Sequence, residues 1–311
     1  MGKWFQIGVA LGGGGARGLA HLGVLCALDR EKIPIDLLAG TSMGAMVAAV
    51  YAQSGRCDLV TDRFRRYLES KEFQKASLEF LHNHNQDSKP SFAGIFQRFA
   101  AFIKRGVFYS QSLTKKAPIS EEVFVQNVDS LLGQGTFEET RIPLAVVALD
   151  LKSGEEVVLR TGDLTKAVSA SCAIPGILPP VAVGDRSLVD GGWINRVPVG
   201  PLRRMGADLA IAVDVAEDIQ ENRDYDTGLD IVLRAYDITQ NSLSQWQLRE
   251  ADVVIRPDVS GIHWSDFGHL DECLKAGEEA VKAKMEEIRR LIRRKKLKKA
   301  FFLPLAASSS P

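Results

Sequence analysis

The sequence predicts an α/β fold built on a mostly parallel central sheet that helices cover on both faces. Short, continuously apolar runs alternate with helix-like segments along the chain, a pattern typical of buried parallel strands. The first helix-like segment is apolar nearly all round, which indicates burial between the sheet and another layer. Glycine-containing turns connect the first two apolar runs to the segments that follow them.

The N-terminal elements are predicted from these alternations. Residues 6–11 form the first apolar run and residues 16–31 the helix after it. Residues 35–39 form a second strand, followed by a helix over residues 43–53. Gly55 is a plausible C-terminal stop for that helix.

The rest of the chain continues the alternation. Residues 58–132 are predicted to be mainly helical, with a loop over residues 82–90. Further strands are expected at residues 142–149, 155–160, 187–189, 208–215 and 252–256. Further helices are expected at residues 163–172, 228–248 and 270–299.

Composition and charge restrict the class of protein. With 311 residues, 45% hydrophobic and 25% charged, the chain is neither mostly disordered nor fibrous. Lys plus Arg equals Asp plus Glu, 39 of each, so no nucleic-acid partner is expected. Residues 282–299 nevertheless hold ten Lys and Arg against two Glu. We therefore expect a domain over residues 1–281 and a basic helical C-terminal tail over residues 282–311.

The four cysteines are far apart, without a Cys/His cluster: Cys26, Cys57, Cys172 and Cys273. This spacing favours free buried thiols in a reducing compartment over disulfides or a metal site. Signal-peptide features and a long uninterrupted apolar window are also missing. We therefore expect a cytoplasmic protein, with peripheral contact at the inner membrane face as the alternative.

A glycine-rich turn follows the first predicted strand, with the sequence Gly13-Gly14-Gly15-Ala16-Arg17-Gly18. Consecutive glycines allow a tight turn and a close approach, and amides at a helix N-terminus favour negative charge. The turn is therefore a candidate anion cradle. A dinucleotide fold would require an acid at the end of the second strand, whereas Asp36 stands at its start. A Walker P-loop would require Gly-Lys-Ser/Thr, which is missing.

A second strand-to-helix turn carries Gly40-Thr41-Ser42-Met43-Gly44. A serine at such a turn has strained geometry and an exposed hydroxyl, and the flanking glycines allow the crowded backbones to approach. An ordinary helix start is the alternative. The apolar run before the motif and the helix after it favour a nucleophile at Ser42.

An acid that could accept the serine proton stands in Val189-Asp190-Gly191-Gly192. Alone, Asp-Gly is most often a plain turn, but beside the other two motifs Asp190 is the leading candidate for a base. The order Ser42, Asp190 and then His263 or His269 would also suit an α/β-hydrolase triad. The three remaining histidines are weaker candidates, in a helix (His21) or a polar loop (His82 and His84).

Together, and in this order, the three motifs resemble those of the patatin-like phospholipase family, in its bacterial single-domain branch related to the catalytic domain of neuropathy target esterase. The resemblance spans residues 7–199. It also includes His21-Leu22-Gly23-Val24-Leu25, the segment SASCAIPG at residues 169–176, and Asp190 through Asn195 and Pro198.

The resemblance implies a three-layer α/β/α sandwich with a mostly parallel central sheet and a Ser–Asp dyad without histidine. Ser42 would then be the nucleophile and Asp190 the base, with an oxyanion hole formed by Gly13, Gly14 and Gly15. Residues that would support the motifs are Arg17, Gly18, Gly40, Gly44, Gly191 and Gly192. The dyad motif ends in Gly192, where many members have alanine. No metal and no cofactor are implied.

The implied function is that of a serine lipid acyl hydrolase, a phospholipase- or lysophospholipase-type esterase acting on a lipid or fatty-acyl ester. The alternative is a lipid-responsive regulatory or binding protein with slow or vestigial esterase activity. Two segments bear on lipid contact. Phe92, Phe96, Phe99 and Phe102 recur at helical spacing, which fits a core helix or a lid. Residues 288–303 mix cations with apolar side chains, which fits either membrane contact or a solvated helix end.

Overall fold

The computed structural model describes residues 4–71, 73, 120–216 and 228–302. The loop predicted at residues 82–90, with His82 and His84, lies outside the described residues. So does the segment of residues 91–104 that carries the spaced phenylalanines.

Eight described strands form one sheet. Their bounds are β1 Ile7–Leu11, β2 Leu37–Thr41, β3 Leu144–Asp150, β4 Glu156–Leu159, β5 Val181–Val183, β6 Arg186–Asp190, β7 Leu209–Val213 and β8 Val253–Ile255. The order across the sheet is β5-β6-β3-β2-β1-β7-β8, and β4 also pairs with β3. Strands β3, β2, β1, β7 and β8 are parallel, whereas β4, β5 and β6 are antiparallel to their neighbours. The prediction of a mostly parallel central sheet is confirmed.

Helices cover both faces of this sheet. The described α-helices are α1 Ala20–Arg30, α2 Met43–Ser54, α3 Cys57–Glu69, α4 Glu121–Leu132, α5 Leu164–Cys172, α6 Val199–Arg204, α7 Gly228–Leu248 and α8 Leu270–Phe302. One hydrophobic cluster unites the sheet with α1 to α5 and α8. A second cluster joins its other face to α6 and the end of α7. The result is the expected three-layer α/β/α sandwich.

The parallel strands bury both of their faces, as their apolar sequences predict. All five residues of β1 and all five of β2 are buried. Ile7, Val9 and Leu11 contribute to the larger cluster, while small Ala10 faces the smaller one. Small side chains on that second face allow α6 to pack close to the sheet, where Leu202 lies against Gly8.

Helix α8 packs along α1 at two glycines. A Cβ atom on Gly23 of α1 would collide with the carbonyl of Leu274, and one on Gly277 of α8 would collide with the carbonyl of Ala20. The two backbones are therefore in direct contact. This contact explains why the first helix carries a glycine among its apolar residues.

The charge change at Lys282 falls inside α8, which runs without a break into the basic segment. Met285, Ile288 and Leu291 of that segment are buried against the core. Two cations of the same segment turn inward: Lys295 pairs with Asp252 at 2.6 Å, and Lys299 pairs with Asp208 at 2.6 Å. The first part of the basic tail is thus packed on the sandwich.

The cysteines depart from the prediction of four free thiols. Cys26 of α1 and Cys57 of α3 form a disulfide, with their Cα atoms 5.1 Å apart. The prediction is wrong for this pair, because helix packing brings together two residues separated by 31 positions. Cys172 and Cys273 are free and buried, as predicted.

Element boundaries differ from prediction at a few places. The predicted helix over residues 16–31 is a 3-10 helix, Gly15–Leu19, followed by α1. Strand β2 begins after Asp36, whose carboxylate accepts a hydrogen bond from the amide of Ile7 at 2.9 Å. Gly55 ends α2 in the left-handed conformation, as predicted. Strand β5 and helix α6 are short and were not predicted.

Candidate active site

Ser42 stands at the sharp turn between β2 and α2. Its backbone angles are φ 54° and ψ −126°, a region that costs a non-glycine residue on the order of 1–3 kcal/mol. The flanking glycine of the motif is required by space, because a Cβ atom on Gly44 would collide with the carbonyl of Leu11. The turn therefore has the strained geometry that the sequence motif predicts.

Ser42 and Asp190 meet across a single strand. Thr41 pairs with Val147 of β3, and Asp190 at the end of β6 pairs with Ala148 on the other side of that strand. The hydroxyl of Ser42 donates a hydrogen bond of 2.6 Å to Oδ2 of Asp190. Two residues 148 positions apart in the chain are thus in direct contact.

The Asp190 carboxyl is buried, with 5% of the residue exposed. Burial raises its pKa to about 6, against the opposing effects of hydrogen bonds from Ser42 and Gly192 and the charge of Arg196. The Gly192 amide donates to Oδ1 at 2.7 Å, which leaves Oδ2 directed at the Ser42 hydroxyl. A carboxylate whose pKa lies closer to neutrality is a better proton acceptor than an ordinary aspartate.

A second serine also contacts the turn. The amide of Ser42 donates to Oγ of Ser171 at 2.9 Å, and the Ser171 hydroxyl donates to the carbonyl of Val147 at 2.6 Å. Ser171 lies in α5, within the SASCAIPG segment. The motif included this residue, but its spacing gave no indication of which atom it contacts.

The glycine-rich turn lies beside Ser42. A Cβ atom on Gly13 would be 3.3 Å from Cβ of Ser42. The Gly13 amide donates to the carbonyl of Arg196 at 2.9 Å and is therefore already used. Within the described residues, the amides of Gly14 and Gly15 donate to no protein acceptor.

Residues of the loop after β8 hold this turn in place. The amide of Ala16 donates to the carbonyl of Trp264 at 2.6 Å. Arg17 is buried, and its Nε donates to the carbonyl of Ile262 at 2.7 Å. Arg17 thus supports the glycine turn and is not a solvated first-turn residue.

His21 anchors the beginning of the same turn. It is fully buried and its Nε2 donates to the carbonyl of Gly12 at 2.7 Å. Burial lowers the pKa of His21 to about 4, although the hydrogen bond to Gly12 acts in the opposite direction. The ring is therefore neutral at pH 7 and has a structural role, as the sequence predicts.

The other described histidines are engaged elsewhere. Nδ1 of His263 lies 2.8 Å from the Ser265 hydroxyl. His269 pairs with Asp266 and Glu272. Among the described residues, no histidine is hydrogen-bonded to Ser42 or Asp190. Burial and the charge of Asp190 also raise the pKa of the nearby Cys172 thiol far above its usual range.

The segment after Asp190 is fixed by α7. The amide groups of Gln240 and Gln247 donate to the carbonyls of Trp193 and Ile194, at 3.0 Å and 2.8 Å. The Thr41 hydroxyl also donates to the carbonyl of Asn195, at 2.9 Å. These bonds connect the loop that follows Asp190 to α7 and to the end of β2. They were not predicted from the sequence.

Gly18, Gly40 and Gly191 are the remaining motif glycines. Each lies where a Cβ atom would collide with its neighbours, at Met43, Ala45 and Val147 respectively. Over the described ranges, no group of three His, Cys, Asp or Glu residues is arranged to hold a metal ion.

The profile of the patatin-like phospholipase family matches residues 9–203, which include both Ser42 and Asp190. The chain belongs to the patatin-like phospholipase family. An uncharacterized NTE family protein of Mycobacterium tuberculosis is 35% identical over 210 residues, covering 68% of this chain and 49% of that protein. The mouse patatin-like phospholipase domain-containing protein 6 is 29% identical over 307 residues, covering 89% of this chain and 20% of that protein.

Two solved structures of bacterial proteins are more distantly similar to this chain. VipD from Legionella pneumophila aligns over 91% of this chain and 67% of its own, with 15% identity and a TM-score of 0.46. The type III effector ExoU aligns over 90% of this chain and 53% of its own, with 14% identity and a TM-score of 0.35. The chain spans about half the length of the mycobacterial relatives that it matches.

Proposed function

We propose that this chain is a serine lipid acyl hydrolase, an esterase of the phospholipase or lysophospholipase type, in which Ser42 is the nucleophile and Asp190 the base. The observation that carries the proposal is the 2.6 Å hydrogen bond between the strained Ser42 and the buried Asp190. Family membership supports a lipid or fatty-acyl ester as the substrate.

The first half of the reaction forms an acyl-enzyme. Oγ of Ser42 attacks the ester carbonyl carbon while its proton passes to Oδ2 of Asp190. The C–O bond to the alcohol then breaks, and the leaving oxygen takes the proton from Asp190. In the second half, water adds to the acyl carbon, loses a proton to Asp190 and displaces Ser42, which recovers its proton.

The oxyanion in each half requires hydrogen-bond donors. Because the Gly13 amide already donates to Arg196, we assign the developing charge to the free amides of Gly14 and Gly15. One donor of this kind is typically worth about 3–4 kcal/mol of transition-state stabilisation. Gly13 would then contribute by its close approach to Ser42 and not by donating its proton.

The experiment that tests this proposal is labelling with a fluorophosphonate probe, followed by a panel of phospholipids and lysophospholipids. Wild-type protein should be labelled on Ser42, and S42A should not be labelled. D190N should remain folded but lose turnover by at least a thousandfold. A label mapped to another serine, or turnover retained by folded D190N, would contradict the dyad.

We also propose that the protein contacts anionic membranes peripherally, through the basic end of α8. Among residues 289–299, four cations have neither an ion-pair partner nor an aromatic ring contact within the described part of the chain: Arg290, Arg293, Arg294 and Lys298. Each adds on the order of 1 kcal/mol near an anionic surface. Throughout the described ranges, no helix is long and apolar enough to span a bilayer.

This basic end of α8 and Ser42 lie at opposite ends of the parallel strands. Lys299 pairs with Asp208 just before β7, whereas Ser42 follows the end of β2, which runs in the same direction as β7. Membrane contact there would tether the protein without covering the dyad. Neutralising the four cations should therefore weaken binding to vesicles and leave the turnover of a soluble ester unchanged.

Co-sedimentation with phosphatidylglycerol–phosphatidylcholine vesicles measures this contact. Truncation after Lys284 is unsuitable, because it would remove Met285, Ile288 and Leu291 from the core. The better variant changes the four unpaired cations to Gln, and its matched control changes four paired arginines, Arg30, Arg56, Arg65 and Arg66. Equal binding by both variants would refute tail contact.

A further inference from the structure

Ser171 occupies a position that the proposed chemistry does not use directly. It is fully buried in α5, and its hydroxyl lies between two backbone groups of other elements. It accepts the Ser42 amide proton at 2.9 Å and donates its own proton to the carbonyl of Val147 at 2.6 Å. The hydroxyl thus connects the nucleophile turn to the strand between the two dyad residues.

The direction of these two bonds is fixed by the available groups. A carbonyl oxygen only accepts, so the Ser171 proton must point at Val147, and a lone pair of the same oxygen then faces the Ser42 amide. A hydroxyl held in this way has one orientation. It can therefore define where the backbone nitrogen of Ser42 lies.

The Ser42 backbone needs such a restraint. Within the described part of the chain, Ser42 is one of two non-glycine residues with a positive φ, here 54°, and the other is Lys32. A strained conformation persists only where the surrounding structure determines it. Val147, which holds Ser171, is itself paired with Thr41, the residue before Ser42.

We infer that Ser171 is a positioning residue, which holds the strained backbone of Ser42 so that its hydroxyl remains aligned with Asp190. This inference rests on the proposed function for its kinetic consequence. Its structural part concerns only the amide of Ser42. Ser171 does not touch the substrate in this role and is therefore not a catalytic residue.

The chain offers a matched control two residues away. Ser169 is also fully buried in α5, but its hydroxyl donates to the carbonyl of Thr165 within the same helix, at 2.8 Å. S169A and S171A therefore remove the same group from the same helix at the same degree of burial. They differ in whether the lost bond reaches the Ser42 amide.

The kinetic test compares both variants in hydrolysis of p-nitrophenyl butyrate and in fluorophosphonate labelling. S171A should lower kcat and the labelling rate at least tenfold, with KM within twofold of wild type, because binding does not depend on the Ser42 backbone. S169A should stay within threefold of wild type in all three quantities. Equal kcat for folded S169A and S171A would overturn the inference.

Two further variants keep the test decisive if S171A does not fold. S171T retains the hydroxyl and should keep kcat within about threefold of wild type, whereas S171C replaces it by a weak acceptor and should lose at least tenfold. Equal kcat values for the two would refute the positioning role.

Amide hydrogen exchange separates this inference from the proposed function. Exchange of the Ser42 amide should be at least tenfold faster in S171A than in S169A, whatever reaction the protein catalyses. If the wild type is not labelled on Ser42 yet its amide responds in this way, the proposed function fails and the contact stands. If labelling occurs on Ser42 and the amide does not respond, the contact fails alone.

Discussion

The hydroxyl of Ser42 donates to Oδ2 of Asp190 over 2.6 Å, and the accepting carboxyl is buried so that its pKa rises to about 6. Only the ionised carboxylate can take the serine proton. The kcat/KM for a soluble ester should therefore fall about tenfold for each pH unit below 6.

The measurement is the hydrolysis of p-nitrophenyl butyrate between pH 4.5 and 8, with circular dichroism at each pH to confirm folding. A profile that stays flat down to pH 5 in folded protein would argue against Asp190 as the base. A midpoint near 3.8 would indicate that the carboxyl is not buried in solution.

Asp190 and His21 should have opposite effects on stability in acid. His21 is neutral in the fold, with its pKa lowered from 6.5 to about 4, so its contribution is lost as the pH falls from 6.5 towards 4. Asp190 takes up a proton in the fold at about 6 but in the unfolded chain only near 3.8, so its contribution grows as the pH falls. The two effects are of similar size and nearly cancel.

The variant D190N removes one side of this balance. Its free energy of unfolding should fall by about 2 kcal/mol more than that of wild type between pH 7 and pH 4. Urea unfolding at the two pH values measures the difference. S169A is the control, because its lost hydrogen bond touches neither Asp190 nor His21, and it should follow wild type. Parallel losses in D190N and wild type would contradict the pKa assignments.

The contact between α1 and α8 should not tolerate a methyl group. G277A places a Cβ atom against the backbone carbonyl of Ala20, which cannot move without separating the helices. We expect a loss of about 2 kcal/mol in the free energy of unfolding, in spite of the higher helix propensity of alanine. G228A, at the open start of α7, is the helical control and should be neutral or slightly stabilising. Equal stability of the two variants would show that the helices are farther apart.

Arg17 should matter for rate through the glycine turn. R17Q removes the bond from Nε to the carbonyl of Ile262 and loosens the turn that carries Gly14 and Gly15. We expect kcat to fall about tenfold with little change in KM, since small displacements of donors are costly in the transition state. R56Q, which breaks an exposed pair with Asp58, should leave kcat unchanged. R17Q with wild-type kcat would show that the turn does not depend on this anchor.

Much of the fold could be predicted because buried parallel strands and amphipathic helices leave local patterns. The strand before Ser42, the helix after it and the left-handed Gly55 all follow from sequence within a few residues. The strand β5 and the helix α6 could not be predicted, because three and six residues are too few to show a period. The Cys26–Cys57 pair depends on how α1 and α3 pack, which spacing does not reveal.

The candidate site was likewise predictable only in part. Glycines are required where two backbones approach closely, so the turns around Ser42, Gly14 and Asp190 could be predicted from the sequence. Hydrogen bonds between distant side chains and backbone carry no local signal. The partner of the Gly13 amide, the anchor of Arg17 and the bridge through Ser171 therefore became apparent only from the structure.

Strand β3 separates β2 from β6, so two neighbouring inter-strand spacings, together about 10 Å, set the backbone distance that the two dyad side chains span. The hydrogen-bonded strands thus fix the distance between Ser42 and Asp190. A shift of β6 by one residue along β3 would turn Asp190 to the opposite face of the sheet, away from Ser42. Changes of loop length in this fold should accordingly preserve the register of β6 on β3.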